Sequence, residues 1–136
     1  MATLIIGIDP GTHTGIAVYD KATKEITFIK TVGIVEAIDK VRELKSETVL
    51  VRFEDARLRR WYGNSGREQL QGAGSIKRDC TIWEEFLKAE KIPFEAVAPR
   101  NIMTKMEAGY FAKLTGYKGL TSEHSRDAAM LVWGRY

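Results

Sequence analysis

The chain has 136 residues, of which 44% are hydrophobic and 29% are charged, and its formal net charge is +3 at pH 7. This length is typical of one domain with an ordinary hydrophobic core, so residues 1–136 are expected to form a single domain. The composition argues against a disordered chain, a collagen-like repeat or a disulfide scaffold, and Cys80 is the only cysteine. No apolar run reaches the roughly 20 residues that span a bilayer, and no basic leader precedes the first acid. We therefore expect a cytoplasmic protein that does not associate with membranes.

Three short β-rich segments open the chain, over residues 4–9, 15–19 and 26–32. The first segment ends before Pro10, because proline cannot donate a hydrogen bond to a sheet and restricts the residue before it. The links between the segments are short, and short links favour antiparallel pairing. The three strands are therefore predicted to form an antiparallel meander.

The rest of the chain alternates helical and β-rich segments. Apolar residues at three- and four-residue spacing indicate helices, and runs rich in valine or aromatic residues indicate strands. In chain order we predict a helix over residues 33–45, a strand over 48–53, a long polar loop over 55–69, a helix over 75–91, a strand over 94–97, and helices over 102–114 and 122–133, the last capped by Thr121 or Ser122. The predicted fold class is α/β, a mixed five-stranded sheet with three antiparallel strands and then two crossover strands, flanked by helices.

Acidic residues occupy positions that a purely structural role does not readily explain. Asp9 and Glu54 each close an almost wholly apolar strand, and Asp127 lies beside apolar residues on the last predicted helix. His124 precedes Asp127 by three residues, so both side chains project from one face of that helix. Any one of these acids could simply cap a strand or interact with a helix dipole. Together they indicate two strand-end carboxylates in one sheet, accompanied by a helical His-x-x-Asp pair.

This combination of side chains favours a hard divalent cation. Carboxylates that are brought together repel each other, and burying them unpaired is unfavourable. Ligation by oxygen suits Mg²⁺, for which Mn²⁺ can substitute. A pair of such ions about 4 Å apart can activate water and stabilise the leaving oxygen of a phosphodiester. Structural zinc is disfavoured, because the sequence has no C-x-x-C pair and its two histidines are far apart.

Positive charge is concentrated between Asp55 and Arg78. This segment has six basic and two acidic side chains, so its net charge exceeds that of the whole chain. A local basic patch is the usual footprint of a phosphate backbone, and the alternative is a solvated loop. Two aromatic residues, Trp61 and Tyr62, lie within the segment. The basic residues are Arg57, Arg59, Arg60, Arg67, Lys77 and Arg78.

Motifs in a fixed order along the chain resemble those of the RuvC-type Holliday junction resolvases. Residues 7–15, G-I-D-P-G-T-H-T-G, are similar to the opening motif of that family, and Glu54 matches its second catalytic acid. Residues 123–129, E-H-S-R-D-A-A, resemble its C-terminal motif in the variant whose last two ligands are His and Asp. Residues 71–74 resemble the Gly-rich entry to the family's central helix. The resemblance covers nearly the whole chain, which is as short as the compact members found in phages.

The resemblance implies an RNase H-like fold and a homodimer that binds four-way DNA junctions, in recombination, repair or DNA debranching. It implies Mg²⁺-dependent hydrolysis that nicks two strands symmetrically and leaves 5′-phosphate and 3′-hydroxyl ends. By the same resemblance, Asp9 would bridge two metal ions, Glu54 would hold one of them, and Asp127 with His124 would hold the other. His124 must be neutral to bind a metal, so activity is expected to fall at acid pH.

The chain departs from the family after the second acid. The family has an aromatic residue there that stacks on a base of the junction, whereas no aromatic residue directly follows Glu54. Trp61 or Tyr62, farther along the loop, could stack on a base or could pack on the domain. Neighbouring strand residues face opposite ways, so Glu54 and Asp55 should not both reach one site. Glu54 is chosen because it matches the motif.

Several further residues have less specific assignments. Four further basic residues could contact phosphates or be ordinary solvated charge: Lys105, Lys113, Lys118 and Arg126. His13 is expected to be a loop residue rather than a ligand, and Cys80 a small buried thiol. Trp83 and Leu87 share the helical stripe of Cys80 and are either core residues or contacts to a partner chain.

Three alternative functions are compatible with parts of this pattern. Another RNase H-like nuclease, acting on RNA, hybrids or flaps, would have the same fold and acids, because fold alone does not determine function. A non-catalytic module that binds branched DNA is another alternative, which the presence of all four candidate ligands disfavours. The opening motif also resembles the phosphate loop of actin-like ATPases, but those need a second domain for which 136 residues leave no room.

Overall fold

The structure is a computed structural model, and it describes residues 3–45, 48–58, 67–99 and 105–135. In these ranges five strands form one mixed sheet in the order β3-β2-β1-β4-β5. The strands are β1 (Leu4–Asp9), β2 (His13–Asp20), β3 (Glu25–Gly33), β4 (Val49–Glu54) and β5 (Phe94–Val97). The helices are α1 (Ile34–Leu44), α2 (Arg67–Ala89), α3 (Ala108–Thr115) and α4 (Glu123–Met130), with a 3-10 helix at Ala56–Leu58. Across the described ranges, no helix is both long and apolar enough to cross a bilayer.

The sheet has the predicted connectivity. β1, β2 and β3 pair antiparallel in sequence, while β4 pairs parallel to β1 and β5 pairs parallel to β4. The predicted meander and the two crossover strands are therefore confirmed. The bounds of β1 and β5 are the predicted ones, and the ends of β2, β3 and β4 differ from the predicted ends by one or two residues, which is the usual uncertainty of such boundaries. One consequence is that His13, expected in a loop, is the first residue of β2.

The second helix begins earlier than predicted. α2 starts at Arg67, not at residue 75, so the predicted loop over residues 55–69 is shorter. The glycines of residues 71–74 concealed this first part, because glycine weakens helix formation by about 1 kcal/mol per residue. Residues 59–66 of that predicted loop lie outside the described residues.

The last two helices are shorter than predicted. α3 begins at Ala108 instead of residue 102, and Lys105 just before it has φ 57°, a left-handed conformation that an α-helix does not continue through. Residues 102–104 of the predicted helix lie outside the described residues. α4 ends at Met130 instead of residue 133, and the chain then continues in turns.

Side chains alternate between the two faces of the sheet. Ile6 and Ile8 of β1 and Phe53 of β4 belong to the core that packs under α1 and α2. Ile5 belongs to the second core, which packs under α3 and α4, and Gly7 lies directly against α4. Asp9 continues this second series and therefore lies on the α4 face at the end of β1.

Two glycines allow α4 to lie directly on the sheet. A Cβ atom on Gly7 would be 2.1 Å from the backbone oxygen of Ala128, and one on Gly15 would be 1.9 Å from that of His124. A larger residue at either position would push the helix away from the strands. The two glycines of the opening motif thus bring α4 close enough for its side chains to reach the end of β1.

The apolar stripe of α2 belongs to the core. Cys80, Trp83 and Leu87 are fully buried between α2 and the sheet. This burial supports the core assignment of Trp83 and Leu87 over contact with a partner chain, and it confirms Cys80 as a buried thiol. Burial also raises the pKa of the Cys80 thiol to about 11, so the thiol stays protonated at neutral pH.

Candidate metal centre

Asp9 lies at the carboxyl end of β1, the central strand, with 8% of its surface exposed. Its Oδ2 atom is 3.0 Å from Nδ1 of His124 on α4. The His124 side chain is half exposed, so the pair lies at the boundary between the buried sheet end and solvent. The structure therefore brings the first and last sequence motifs into direct contact.

Glu54 ends β4, the strand next to β1. The parallel register pairs Ile8 with Phe53, so Asp9 and Glu54 follow at the same edge of the sheet. Phe53 packs in the core under α2, and Glu54 therefore projects towards the opposite face, which carries α4. The two strand-end carboxylates share both an edge and a face of the sheet.

Asp127 follows His124 by one helical turn. Its Oδ1 atom accepts a hydrogen bond of 2.9 Å from the backbone N–H of Lys105. Arg126 holds the same segment, since its Nε donates to the Met106 carbonyl at 2.7 Å. Sequence analysis missed the Lys105 contact, because a backbone donor leaves no trace in the pattern of side chains.

The start of α4 is anchored to the sheet, and this anchoring fixes the turn that carries His124. Ser122 is the N-cap and forms a reciprocal capping box with Ser125, in which each side chain accepts from the other's backbone N–H. The Ser122 hydroxyl also hydrogen-bonds to Thr31 of β3. Of the two predicted caps, Ser122 is therefore the one observed.

The carboxylates of this site are electrostatically strained. Burial raises the pKa of Asp9 to about 6, the charges of Asp127 and Glu123 act in the same direction, and His124 opposes them. Burial and the charge of Glu123 likewise raise the pKa of Asp127, although the Lys105 hydrogen bond opposes this shift. A divalent cation would offset both the unfavourable free energy of burying these charged carboxylates and their mutual repulsion.

The described side chains do not form a preassembled metal cage. Within the described part of the chain, no group of three or more His, Cys, Asp and Glu side chains is arranged to hold an ion. Asp9 and His124 instead bond to each other through the atoms that would bind a metal. The side chains at this sheet end are carboxylates and one imidazole. Their oxygen and nitrogen atoms are nevertheless ligands that suit Mg²⁺ or Mn²⁺.

Asp55 lies on the other face of β4 and is directed away from Asp9. It is 2% exposed, and its two oxygens accept from Nε and Nη2 of Arg57 at 2.8 and 2.7 Å. Nη1 of Arg57 donates in turn to Glu84 of α2 at 3.0 Å. Burial alone would raise the pKa of Asp55, but the bonds from Arg57 outweigh it and hold that pKa below its usual value.

The predicted DNA contacts are distributed over several parts of the chain, and they remain predictions. Arg57 is engaged in the ion pairs just described. Four of the others lie outside the described residues: Arg59, Arg60, Trp61 and Tyr62. Three belong to α2: Arg67, Lys77 and Arg78. Lys105 and Lys118 are exposed on the segments before and after α3.

His13 lies closer to the centre than the sequence suggested. Its ring centroid is 6.5 Å from that of His124, and the two ring planes are inclined by 26°. The only sequence signal was its position in the opening motif, four residues after Asp9. His13 and His124 together line the solvent side of the centre.

Comparison with known proteins identifies the fold. No protein-family model matches the chain, and no curated protein matches its sequence. Among solved structures, RuvC of T. thermophilus in complex with a Holliday junction substrate is similar, with a TM-score of 0.62 and 19% sequence identity. The match covers 95% of this chain and 89% of that chain. This chain has the RNase H-like fold of RuvC. The predicted fold class is confirmed, and the activity is argued from the site.

Proposed function

We propose that the protein is a metal-dependent endonuclease that hydrolyses phosphodiester bonds in branched DNA, with the four-way (Holliday) junction as its substrate. The observation that carries this proposal is the convergence of Asp9, His124 and Asp127 at the end of β1 in an RNase H-like sheet. The similar RuvC of T. thermophilus was solved with a Holliday junction substrate, which supports the choice of junction DNA.

Four side chains would hold the ions: Asp9, Glu54, His124 and Asp127. When bound, two Mg²⁺ ions would supply an activated water and stabilise the leaving oxygen of the phosphodiester. Asp9 lies between β4, which carries Glu54, and α4, which carries the other two side chains, and this position supports a role for Asp9 towards both ions. His124 must be neutral and release its hydrogen bond to Asp9 in order to act as a ligand.

Protons compete with the ions for these side chains. Asp9 has its pKa raised to about 6, and the pKa of Asp127 is also raised, so both acids protonate more readily than exposed carboxylates. Lowering the pH converts them to forms that bind metal poorly. Activity is therefore expected to fall as the pH is lowered through about 6, and excess Mg²⁺ should partly restore it.

The basic side chains would hold the DNA backbone around the scissile bond. Those assigned to this role are Arg59, Arg60, Arg67, Lys77, Arg78, Lys105 and Lys118. Each productive phosphate contact steepens the salt dependence of binding by about one unit. Trp61 or Tyr62 would stack on a base at the junction, contributing about 1–3 kcal/mol.

The protein would act as a homodimer, because symmetric nicking of two strands requires two active sites. Two large apolar side chains, Ile76 and Ile82, are more than one-third exposed on α2, which is compatible with a partner chain on this helix. The cellular role would be recombination, repair or DNA debranching in the cytoplasm, performed by one compact domain.

The decisive experiment uses end-labelled four-way junctions, with linear duplex, flap and RNA–DNA hybrid of matched sequence as comparison substrates. Wild type and Asp9→Asn are each assayed with Mg²⁺ and with EDTA. Paired symmetric nicks near the crossover, lost in EDTA and in Asp9→Asn, are the expected result. Preference for the hybrid or the flap would support the metal centre but contradict the four-way junction as the substrate. Tight junction binding without cleavage under any divalent ion would indicate that the protein is a non-catalytic binding module.

His124→Ala tests the assignment of the imidazole. The cleavage rate of the variant should fall by a larger factor than its affinity for the junction, because a metal ligand contributes to the reaction and not to contacts with the DNA backbone. Junction affinity in EDTA and cleavage in Mg²⁺ are measured on the same preparation. Equal losses in the two assays would contradict a metal-binding role for His124.

A further inference from the structure

The buried ion pair behind β4 has no part in the chemistry proposed above. Asp55 and Arg57 lie immediately after Glu54, on the opposite side of the strand. We propose that Arg57 is a positioning residue that, through Asp55, clamps the end of β4 so that Glu54 points towards the metal centre. The inference rests on the proposed function, since it takes Glu54 to be a metal ligand.

The backbone around Glu54 and Asp55 is held from three directions. The Asp55 N–H donates to the Val97 carbonyl at 2.8 Å, which attaches this point to β5. The Cys80 thiol of α2 donates to the Glu54 carbonyl at 3.6 Å. The Leu58 N–H donates to the Asp55 carbonyl at 3.0 Å and closes the turn. Rotation of this backbone would break all three bonds, so the direction of the Glu54 side chain is set by them.

The Asp55 side chain is the fourth attachment, and Arg57 completes it. Arg57 donates to Asp55 through its backbone N–H at 3.0 Å as well as through the two bonds of its guanidinium fork. The bond from Nη1 to Glu84 extends the clamp to α2. A planar fork with parallel N–H donors is a property of arginine that lysine cannot reproduce.

The same geometry argues against a direct role of Arg57 in holding phosphates. All three guanidinium nitrogens of Arg57 donate to side chains of the protein. Two carboxylates, Asp55 and Glu84, face the one guanidinium of Arg57, and Lys88 also pairs with Glu84 at 3.6 Å. A phosphate would have to displace these bonds and approach two acids, which is electrostatically unfavourable.

The test measures metal affinity separately from DNA binding. Mn²⁺ is titrated into the free protein by calorimetry, for wild type, Arg57→Lys and the double variant Asp55→Asn/Arg57→Gln. The double variant removes both charges and so leaves no unpaired buried ion, while Arg57→Lys retains the charge without the fork. Both should bind Mn²⁺ about 10–100-fold more weakly, which is the usual effect of removing a group that orients a metal ligand.

Arg42→Lys is the matched control for metal affinity, because Arg42 also pairs with two carboxylates, Asp39 and Glu90, and has no role assigned to it. It should leave Mn²⁺ affinity unchanged. Arg78→Ala, at a position assigned to DNA, is the reference for the salt dependence of junction binding in EDTA, which it should reduce by about one unit. The double variant should leave that salt dependence unchanged. Circular dichroism and thermal unfolding in EDTA establish which variants are folded. If the double variant is unfolded, the Mn²⁺ affinity of Arg57→Lys tests the positioning role.

The outcomes separate this inference from the proposed function. Unchanged Mn²⁺ affinity in the folded Arg57 variants, with normal binding by wild type, would overturn the positioning role alone. A loss of about one unit of salt dependence in the double variant would make Arg57 a phosphate contact and overturn it too. A wild-type protein that binds no Mn²⁺ would overturn both the inference and the metal-dependent function.

Discussion

Two buried carboxylates near the end of the same sheet have opposite electrostatic properties. Asp9 on the α4 face is 8% exposed and its pKa is raised to about 6, whereas Asp55 on the α2 face is 2% exposed and its pKa is lowered. The difference lies in their partners. Asp9 bonds to an imidazole and is surrounded by other acids, while Asp55 receives the guanidinium fork and the backbone N–H of Arg57. Burial favours the neutral form of both acids, and the bonds from Arg57 outweigh it at Asp55 whereas the bond from His124 does not outweigh it at Asp9.

This contrast assigns different tasks to the two faces of the sheet. A buried ion that is fully paired holds its surroundings in place, and removing its partner is strongly unfavourable. A buried acid with insufficient positive charge around it is unstable as an anion and is the kind of group found at binding and catalytic sites. The α2 face therefore provides the frame, and the α4 face provides a site that a cation would complete.

The largest expected effect is on cleavage by Asp9→Asn. Replacing the central carboxylate with a neutral amide of the same shape should lower the cleavage rate roughly 100- to 1000-fold, the range for loss of one charge-stabilising group. The matched control is Asp39→Asn, an exposed acid on α1. Single-turnover junction cleavage measures both variants. Retention of more than about a tenth of the wild-type rate would contradict a central role for Asp9.

The next largest effect is on stability, in Asp55→Asn. The variant leaves the half-buried Arg57 without its carboxylate and should destabilise the protein by about 2–4 kcal/mol at neutral pH. Because the pKa of Asp55 is lowered by folding, its contribution is present above the unfolded pKa of about 4 and is lost as the pH falls below it. Urea unfolding at several pH values measures this. A difference from wild type that persists unchanged in acid would contradict the assignment.

In the absence of metal, Asp9→Asn is expected to stabilise the folded protein, whereas Asp55→Asn destabilises it. Folding raises the pKa of Asp9 from 3.8 to about 6, so ionisation of this residue destabilises the metal-free protein as the pH rises through that window. At neutral pH in EDTA the variant should gain at most about 3 kcal/mol over wild type, and the gain should vanish below about pH 4. Asp39→Asn should change stability by less than about 0.5 kcal/mol. A gain that does not depend on pH would disprove the electrostatic origin.

The smallest expected effect is that of Cys80→Ala, which removes the thiol bonded to the Glu54 carbonyl. Loss of this weak bond and of one buried sulfur should lower stability by about 1 kcal/mol. In wild type the thiol should resist alkylation near neutral pH, because it is buried and its pKa is raised to about 11. Rapid alkylation under native conditions would indicate that α2 detaches from the end of β4.

Much of the fold could be predicted because its signals are local. The short links between β-rich segments predicted the meander, Pro10 predicted the end of β1, and the serine before the last helix was one of its two predicted caps. The start of α2 could not be predicted, because the glycines there weaken the helical signal in the sequence. The helix nevertheless forms, and Trp83 and Leu87 farther along it pack in the core. Lys105 interrupts a helical pattern by a left-handed backbone conformation that its side chain does not reveal.

The sequence by itself determined the order of strands and helices, because periodicity and chain order are local properties. It also placed Asp9 and Glu54 at strand ends and His124 and Asp127 on the last helix. Only the tertiary structure decided which charges meet. The structure pairs Arg57 with Asp55, although the sequence predicts that this arginine contacts DNA. His124 reaches Asp9 because Gly7 and Gly15 have no side chains to hold α4 away from the sheet. Contacts between residues 115 positions apart depend on how closely two elements approach, and that distance is set by packing.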